Sequence, residues 1–71
     1  MKTESVKSPL TERERDCLRW LAEGETDPRI AARLGISART VRFHVDQAKR
    51  ALHARNRIHA VVLALCADLL G

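Results

Sequence analysis

The stretch DPRIAARLGISARTVRFHV, residues 27–45, carries the local signals that decide the fold. Asp27 is a good N-cap and the proline after it suits the first position of a helix, so we predict a short helix over about 28–34. Gly35 can take the left-handed conformation that ends a helix, and Ser37 can cap the next one. A short helix, a glycine turn and a longer helix in direct succession predict a helix-turn-helix.

The longer helix is predicted over about 38–53 and has one narrow apolar face. At about 100° per residue, four apolar side chains share that face. They are Val41, Val45, Ala48 and Leu52. The opposite side carries Arg39, Arg42, Phe43, Asp46, Gln47, Lys49 and Arg50. The helical wheel therefore places Phe43, the only phenylalanine of the chain, outside the core, and His44 at the edge of the apolar face.

A first helix precedes this pair. Thr11 and Glu14 have the spacing of a capping box, which predicts a helix over about 12–23 that stops at Gly24. Trp20 lies at the flank of its apolar stripe, and we expect it to be a core residue.

A fourth helix is predicted over about 57–69, with Asn56 as its cap. It is apolar on nearly every face, and a chain of 71 residues cannot bury such a helix alone, so one face is expected to meet a partner. Together these patterns predict an all-α fold, a compact four-helix domain over residues 9–71. Residues 1–8 are polar and unpatterned, and we interpret them as a flexible lead-in or the end of a linker.

Positive charge is concentrated in the second half of the chain, whose overall net charge is +4. Residues 1–36 carry seven basic and seven acidic side chains, whereas residues 37–71 carry six basic and two acidic ones. A basic surface confined to one part of a small domain favours a polyanionic partner, nucleic acid before membrane.

Several other classes of function receive no support from the sequence. Cys17 and Cys66 have neither CxxC nor Cys/His spacing, and the three histidines lack ligand spacing, so we expect no metal site. We also expect no enzyme, no cofactor and no small-molecule ligand, because the sequence contains no catalytic arrangement and no phosphate loop. The longest apolar run, residues 60–67, is too short to span a bilayer, and no secretory signal is visible, so we expect a cytoplasmic protein.

The outer face of the helix over 38–53 has the composition of a major-groove reader. Arginine binds guanine O6 and N7, aspartate can accept from cytosine N4, and an apolar ring can touch a thymine methyl group. Lys49 and Arg50 can neutralise phosphates, and the amides and hydroxyls at the start of the helix can bind one too. The plain alternative is a solvated charged face, but the glycine turn and the local charge favour DNA.

The motifs over residues 10–65 together resemble the LuxR-type helix-turn-helix domain, the four-helix output module of many bacterial transcription regulators. The matching stretches are LTERE (10–14), LRWLAEG (18–24), IAARLGIS (30–37), TVRFHV (40–45), AKRAL (48–52) and RNRIHAV (55–61). RFHV and AKRAL look most similar to the quorum-sensing branch, whose members carry a separate acyl-homoserine-lactone-binding domain upstream. The resemblance implies sequence-specific binding of double-stranded DNA.

The resemblance also implies roles for individual residues. The base-contacting positions of the family match Arg42, Phe43 and Asp46. The phosphate-contacting positions match Thr26, Ser37, Arg39, Thr40, His44 and Lys49, and the charge of the helix adds Arg50. For His44, a structural role at the edge of the core stays open as an alternative to a phosphate contact, and the two roles can coexist.

The fourth helix is implied to form a homodimer, weak for an isolated domain, that binds a two-fold symmetric DNA site. RNA polymerase is a further candidate partner, and no membrane contact is expected. The residues that we expect at the dimer interface are Val62, Leu63, Cys66 and Leu69.

The sequence departs from the family pattern at two places. The residues at 27–29 are Asp-Pro-Arg where Asn-Lys-Glu is common, and Asp46 stands where a basic or neutral polar residue is easier to explain. Two other functions therefore stay open: a small helical protein that binds or inhibits a related regulator through its last helix, and the promoter-reading domain of a sigma factor. No sensor domain accompanies the module, so we interpret the chain as a stand-alone regulator or an excised domain, with the second preferred.

Overall fold

The computed structural model describes residues 8–71, and this part of the chain forms four α-helices and no strand. The helices are α1 (Glu12–Ala22), α2 (Asp27–Leu34), α3 (Ala38–Ala51) and α4 (Arg57–Cys66). The predicted all-α fold is therefore confirmed. Of the predicted lead-in, residues 1–7 lie outside the described range. None of the four described helices has the length and apolar character needed to cross a membrane.

The helices α1 and α3 each pack against all three of the other helices. Leu18 of α1 joins buried residues of α3 and α4 in one cluster, whereas Cys17 of α1 joins those of α2 and α3 in another. The first cluster comprises Leu10, Leu18, Ala48, Ala60, Ala64 and Leu70. The second comprises Cys17, Ile30, Ala31, Val41 and Val45. Because α3 contributes to both clusters, its inner face is used for packing and its outer face is left for other contacts.

Local capping signals act in α1 and α3 as the sequence predicts. The Glu14 amide donates to Thr11 Oγ1 at 3.1 Å, and the Thr11 amide donates to Glu14 Oε1 at 3.0 Å, which completes the capping box. At the start of α3 the Thr40 amide donates to Ser37 Oγ at 3.0 Å. Gly35 ends α2 at φ 71°, the left-handed conformation expected there. The turn between α2 and α3 is thus held by signals that lie within the quoted stretch.

The predicted N-cap of α2 is wrong. The helix begins at Asp27 itself, and the capping position falls on Thr26, which makes no side-chain capping bond. The Asp27 carboxylate instead accepts two hydrogen bonds from the Arg57 guanidinium, at 2.8 and 3.0 Å. Because the two residues are 30 positions apart in the chain, no local pattern could predict their pairing.

Three helices end earlier than predicted. The last residue of α1 is Ala22 rather than 23, that of α3 is Ala51 rather than 53, and that of α4 is Cys66 rather than 69. For α3 and α4 the cause is a left-handed residue that is not glycine, His53 at φ 55° and Asp68 at φ 58°. After each, an amide donates to the carbonyl five residues earlier, at 2.9 and 2.8 Å, and this bond closes the helix end.

The residues after α4 fold back onto α1. Leu70 is buried in the first cluster, and Leu69 is half buried against it. The Arg19 Nε donates to the Leu70 carbonyl at 3.0 Å, which ties the end of the described chain to α1. A segment predicted as the last turn of a helix is therefore an irregular part of the core.

Candidate nucleic-acid interface

The outer side of α3 carries the three residues expected to contact bases, Arg42, Phe43 and Asp46, which we call the reading face. Arg42 and Phe43 are exposed, Phe43 to 55%, whereas Asp46 is half buried. The Phe43 ring lies edge-on to the His44 ring, with centroids 5.5 Å apart and planes at 68°. Phe43 therefore lies outside the core, as the helical wheel predicts, and a half-buried imidazole supports its ring on one side.

The residues expected to contact phosphates lie around the reading face, along α3 and before α2. The exposed ones are Thr26, Ser37, Arg39 and Arg50. The half-buried ones are Thr40, His44 and Lys49. The Ser37 and Thr40 hydroxyl oxygens lie 2.9 Å apart and share a hydrogen bond, while Ser37 also caps α3. The start of α3 is consequently a hydroxyl-lined turn whose geometry is set by its own hydrogen bonds.

The arginines of α2 are engaged within the protein. Glu25 Oε1 accepts from Arg29 Nε at 2.8 Å, and Glu25 Oε2 accepts from an Arg33 nitrogen at 3.2 Å. The hydrogen bond from Arg29 first, and then the positive charges of both arginines, hold the pKa of Glu25 below its ordinary value. The Arg33 guanidinium also lies over the Trp20 ring, 4.3 Å from its centroid, in a cation–π contact. Trp20 is half buried rather than a plain core residue, and it joins α1 to α2.

A forked ion pair joins the starts of α2 and α4. The side chains of Asp27 and Arg57 are 13% and 38% exposed. Hydrogen bonds from Arg57 hold the pKa of Asp27 below its ordinary value, and the positive charges of Arg57 and Arg42 act in the same direction. The hydrogen bond to Asp27 raises the pKa of Arg57, and the negative charges of Asp27 and Asp46 raise it further. The charges of two residues of the reading face, Arg42 and Asp46, thus act on the ion pair between Asp27 and Arg57.

The outward side of α4 is apolar. Ile58, Val62 and Leu65 are 73%, 48% and 54% exposed. Ile58 and Leu65 were not among the predicted interface residues. Ile58 lies four positions before Val62 and Leu65 three positions after it, so helix geometry places all three on one face, and this spacing could have predicted them. Of the predicted interface residues, Val62 and Cys66 are exposed, whereas Leu63 and Leu69 are half buried.

The two cysteines are free and lie in different surroundings. Cys17 is buried in the second cluster, and burial raises the pKa of its thiol to about 11, which keeps the thiol protonated. Cys66 is exposed at the end of α4. Within residues 8–71, no group of three or more His, Cys, Asp or Glu side chains is placed to hold a metal ion.

Comparison with known proteins identifies relatives along almost the whole described chain. The model of the luxR family of bacterial regulatory proteins (GerE) matches residues 8–64. The chain is 51% identical over 61 residues to the quorum sensing-dependent transcriptional regulator VjbR of Brucella abortus. It is 43% identical over 61 residues to the transcriptional activator protein AnoR of Acinetobacter nosocomialis. These alignments cover 86% of this chain but 24% and 26% of the two relatives, so the chain spans about a quarter of the length of the curated relatives it matches.

The fold has a solved counterpart as well. The structure of the transcription factor GerE matches with a TM-score of 0.83 and 31% identity, over 87% of this chain and 92% of that one. These findings confirm the resemblance to LuxR-type domains and to their quorum-sensing branch, and they decide against a sigma-factor domain and against an enzyme. The chain belongs to the luxR family of bacterial regulatory proteins, and its helix-turn-helix is a DNA-binding domain of transcription regulators.

Proposed function

We propose that this domain binds double-stranded DNA sequence-specifically, with α3 in the major groove. The observation that carries the proposal is the division of α3 into two sides. Val41 and Val45 are at most 1% exposed, whereas Arg42 and Phe43 face solvent. An α-helix fits the major groove, and side chains on its outer face can then reach the base edges.

Each residue of the reading face suits a different base edge. The Arg42 guanidinium can donate two hydrogen bonds to guanine O6 and N7, the Phe43 ring can touch a thymine methyl group, and the Asp46 carboxylate can accept from cytosine N4. Phosphate contacts fix the register of the helix without carrying sequence information. For these we propose Thr26, Ser37, Arg39, Thr40, His44, Lys49 and Arg50.

A homodimer through α4 is the second part of the proposal. A contiguous exposed apolar surface on a small domain marks an interaction site. Ile58 and Leu65 extend the predicted pair Val62 and Cys66 into a stripe along the outward side of the helix. Such a dimer would place two copies of α3 on half-sites about one helical turn apart.

The third part concerns a longer protein of which this chain would be one domain, because the chain matches only about a quarter of the length of its relatives. The names of VjbR and AnoR describe a quorum sensing-dependent regulator and a transcriptional activator. We extend that role to this chain as the output domain of a cytoplasmic regulator, with RNA polymerase as a further partner. Upstream domains would raise DNA affinity by holding two copies of the output domain together.

Selection of bound sequences from a random pool of double-stranded DNA tests the first part. We expect enrichment of a two-fold symmetric site. Titration of that site and of its single-base variants should then show that Arg42→Ala costs about 1–3 kcal/mol of binding free energy and relaxes the preference at one base pair.

Arg29→Ala is the matched control, because Arg29 is an exposed arginine of α2 that pairs with Glu25. It should leave the base preference unchanged. An equal loss of affinity for all DNA sequences with Arg42→Ala would refute base reading by Arg42, and a pool without any enriched sequence would refute specific binding.

A helical interaction protein remains the second candidate function, because the apolar side of α4 is uncovered in the single chain. In that case a related regulator would bind α4, and α3 would need no DNA. NMR titration separates the two, since DNA should shift the amide signals of α3 and a protein partner those of α4.

A further inference from the structure

The exposed apolar stripe of α4 is too small to hold a stable dimer by itself. Its three large side chains, Ile58, Val62 and Leu65, are 73%, 48% and 54% exposed. Complete burial of an aliphatic side chain removes roughly 60–120 Å² of apolar surface from water, so these three supply at most about 200 Å². A stable protein–protein interface buries about 800 Å² on each partner. A dimer through this side of α4 therefore needs further surface beside the stripe.

Two adjoining depressions beside the stripe supply such surface. Their volumes are about 230 and 330 Å³, and in each the end of α1 forms the side opposite α4. Ala22, the last residue of α1, lines both, so the two depressions meet there and together form what we call the α1–α4 groove. Its apolar lining on these two helices comprises Leu21, Ala22, Ile58, Val61, Val62 and Leu65.

The stripe of α4 has the spacing of a helix that lies in a groove. Ile58, Val62 and Leu65 stand at positions i, i+4 and i+7, the pattern with which an amphipathic helix fills an apolar groove of its partner. One chain thus carries both a groove and the side chains that suit it. In a two-fold symmetric dimer both copies use the same surface, so each α4 can lie in the groove of the other copy.

The charges at the two ends of α4 favour an antiparallel arrangement of two copies. Arg55 is exposed just before the helix begins. Glu23 and Asp68 are exposed and line the groove near the other end of the helix. An antiparallel pair places the start of one α4 beside the end of the other, which brings Arg55 toward the acidic end of the second copy and sets the two helix dipoles in opposite directions. Area and charge thus both point to a second copy of this chain as the occupant of the groove.

We propose that the end of α1 is part of the dimer interface: α4 of a second copy lies antiparallel in the α1–α4 groove, with Ala22 at the centre of the contact. This inference rests on the proposed function, of which the homodimer is one part. It extends the interface beyond α4, and it makes the small side chain of Ala22 a determinant of dimerisation.

Ala22→Asp in the full 71-residue chain is the first test. Because Ala22 is exposed in the single chain, the substitution should leave the fold intact. In the dimer the carboxylate would be desolvated against α4 of the second copy, so the dissociation constant measured by sedimentation should rise at least about tenfold. Ala32→Asp makes the same change at an exposed alanine of α2 and is the matched control, with an unchanged dissociation constant.

Ala22→Lys tests the same contact where Ala22→Asp folds poorly. A positive charge suits the end of a helix, so this variant should keep the stability of α1 and still weaken the dimer. A wild-type dissociation constant in both folded variants would overturn the role of α1.

NMR of a mixed sample measures the contact between copies directly. In equal amounts of ¹³C-labelled and unlabelled protein, isotope filtering retains only contacts between different copies. We expect cross-peaks from the Ala22 methyl group to methyl groups of α4, and from Ile58 to Leu65. A dimer whose cross-peaks join α4 to α4 without Ala22 would overturn the proposal, and cross-peaks from Ile58 to Ile58 and from Leu65 to Leu65 would overturn the antiparallel orientation.

The wild type separates this inference from the proposed function. If it stays monomeric at high concentration, the homodimer itself fails, whatever the variants do. If a dimer forms and the Ala22 variants keep the wild-type dissociation constant, only the part assigned to α1 fails.

Discussion

The helices α3 and α4 are neighbours in one small core, yet they turn opposite kinds of surface outward. Their inner sides meet through Ala48 on α3 and through Ala60 and Ala64 on α4, all 0% exposed. Small residues let two helices approach closely, so only a small part of the surface of each helix is used for packing. The outer side of α3 is then free to carry arginines around Phe43, and that of α4 is free to carry aliphatic side chains. One scaffold thus presents a surface suited to a polyanion and another suited to an apolar partner.

Leu18→Ala should have the largest effect of these substitutions, because it destabilises the core that supports the surfaces of both α3 and α4. Leu18 is 0% exposed and lies in the cluster that joins α3 and α4. The lost contacts and the cavity should cost about 3 kcal/mol of unfolding free energy, measured by denaturant titration. Ile58→Ala, at a side chain 73% exposed, is the control and should change it by less than about 0.5 kcal/mol. A loss below about 1 kcal/mol for Leu18→Ala would contradict the shared core.

Val62→Asp should break the α4 surface alone. A carboxylate at the centre of an apolar interface must be desolvated without a partner, so the dimer dissociation constant should rise at least about tenfold. Sedimentation over a range of concentrations measures this, with Ala32→Asp on the exposed side of α2 as the control. The half-buried Leu63 and Leu69 are poorer targets, because their loss would also affect the core. If the wild type stays monomeric at high concentration, the dimer proposal fails.

Lys49→Ala should weaken the α3 surface without changing what it reads. Loss of one phosphate contact should lower affinity evenly across DNA sequences and reduce the slope of log K against log salt by about one. Binding titrations at several salt concentrations provide the measurement. An unchanged slope would count against a phosphate contact at Lys49. An altered base preference would instead indicate that Lys49 contacts bases, as the residues of the reading face are proposed to do.

Asp27→Asn should destabilise the junction between α2 and α4 in a pH-dependent way. The partial exposure of Arg57 limits the expected cost to about 1 kcal/mol at neutral pH. Because the folded-state pKa of Asp27 is lowered, this stability is fully present above the unfolded-state value of about 3.9 and disappears as pH falls through the folded-state value. Unfolding curves for the two proteins should therefore differ at pH 7 and converge in acid. A constant difference down to the lowest pH would contradict the ion-pair origin.

His53→Gly, at the end of α3, should have the smallest effect of these substitutions. The ends of α3 and α4 both use a left-handed residue with a side chain, His53 at φ 55° and Asp68 at φ 58°. Glycine adopts this conformation without steric strain, so His53→Gly should raise the unfolding free energy by about 0.5 kcal/mol, net of its greater unfolded-state entropy. Asp68→Gly should behave alike in the same thermal unfolding measurement. A loss of stability would show that the His53 side chain contributes contacts.

The elements that the sequence predicts correctly depend on contacts within one or two helical turns. The capping box of Thr11 and Glu14, the left-handed Gly35 and the inner face of α3 are of this kind. The capping box and the inner face are decided by side chains three or four residues apart, whose positions follow from helix geometry, and Gly35 adopts its conformation because glycine has no Cβ. The outward position of Phe43 follows in the same way, because an inner face defined by Val41 and Val45 leaves only one side for it.

The elements that the sequence misses depend on how the helices cross. Asp27 is a plausible cap by local rules, and only the tertiary fold brings the Arg57 side chain, from the start of α4, to it. Trp20 becomes a platform for Arg33 because α1 and α2 lie side by side. Similarly, Leu69 leaves the helix and packs on the core because the chain turns at a left-handed residue that carries no glycine signal.

Three features thus follow from the sequence without the structure: the class of fold, the two-sided character of α3, and the presence of more apolar surface on α4 than one domain can bury. These are consequences of periodicity and short-range capping. The tertiary structure alone decided which aliphatic side chains of α4 stay uncovered and which carboxylate holds Arg57. Both depend on contacts between segments far apart in the chain, whose formation requires the whole core to be assembled.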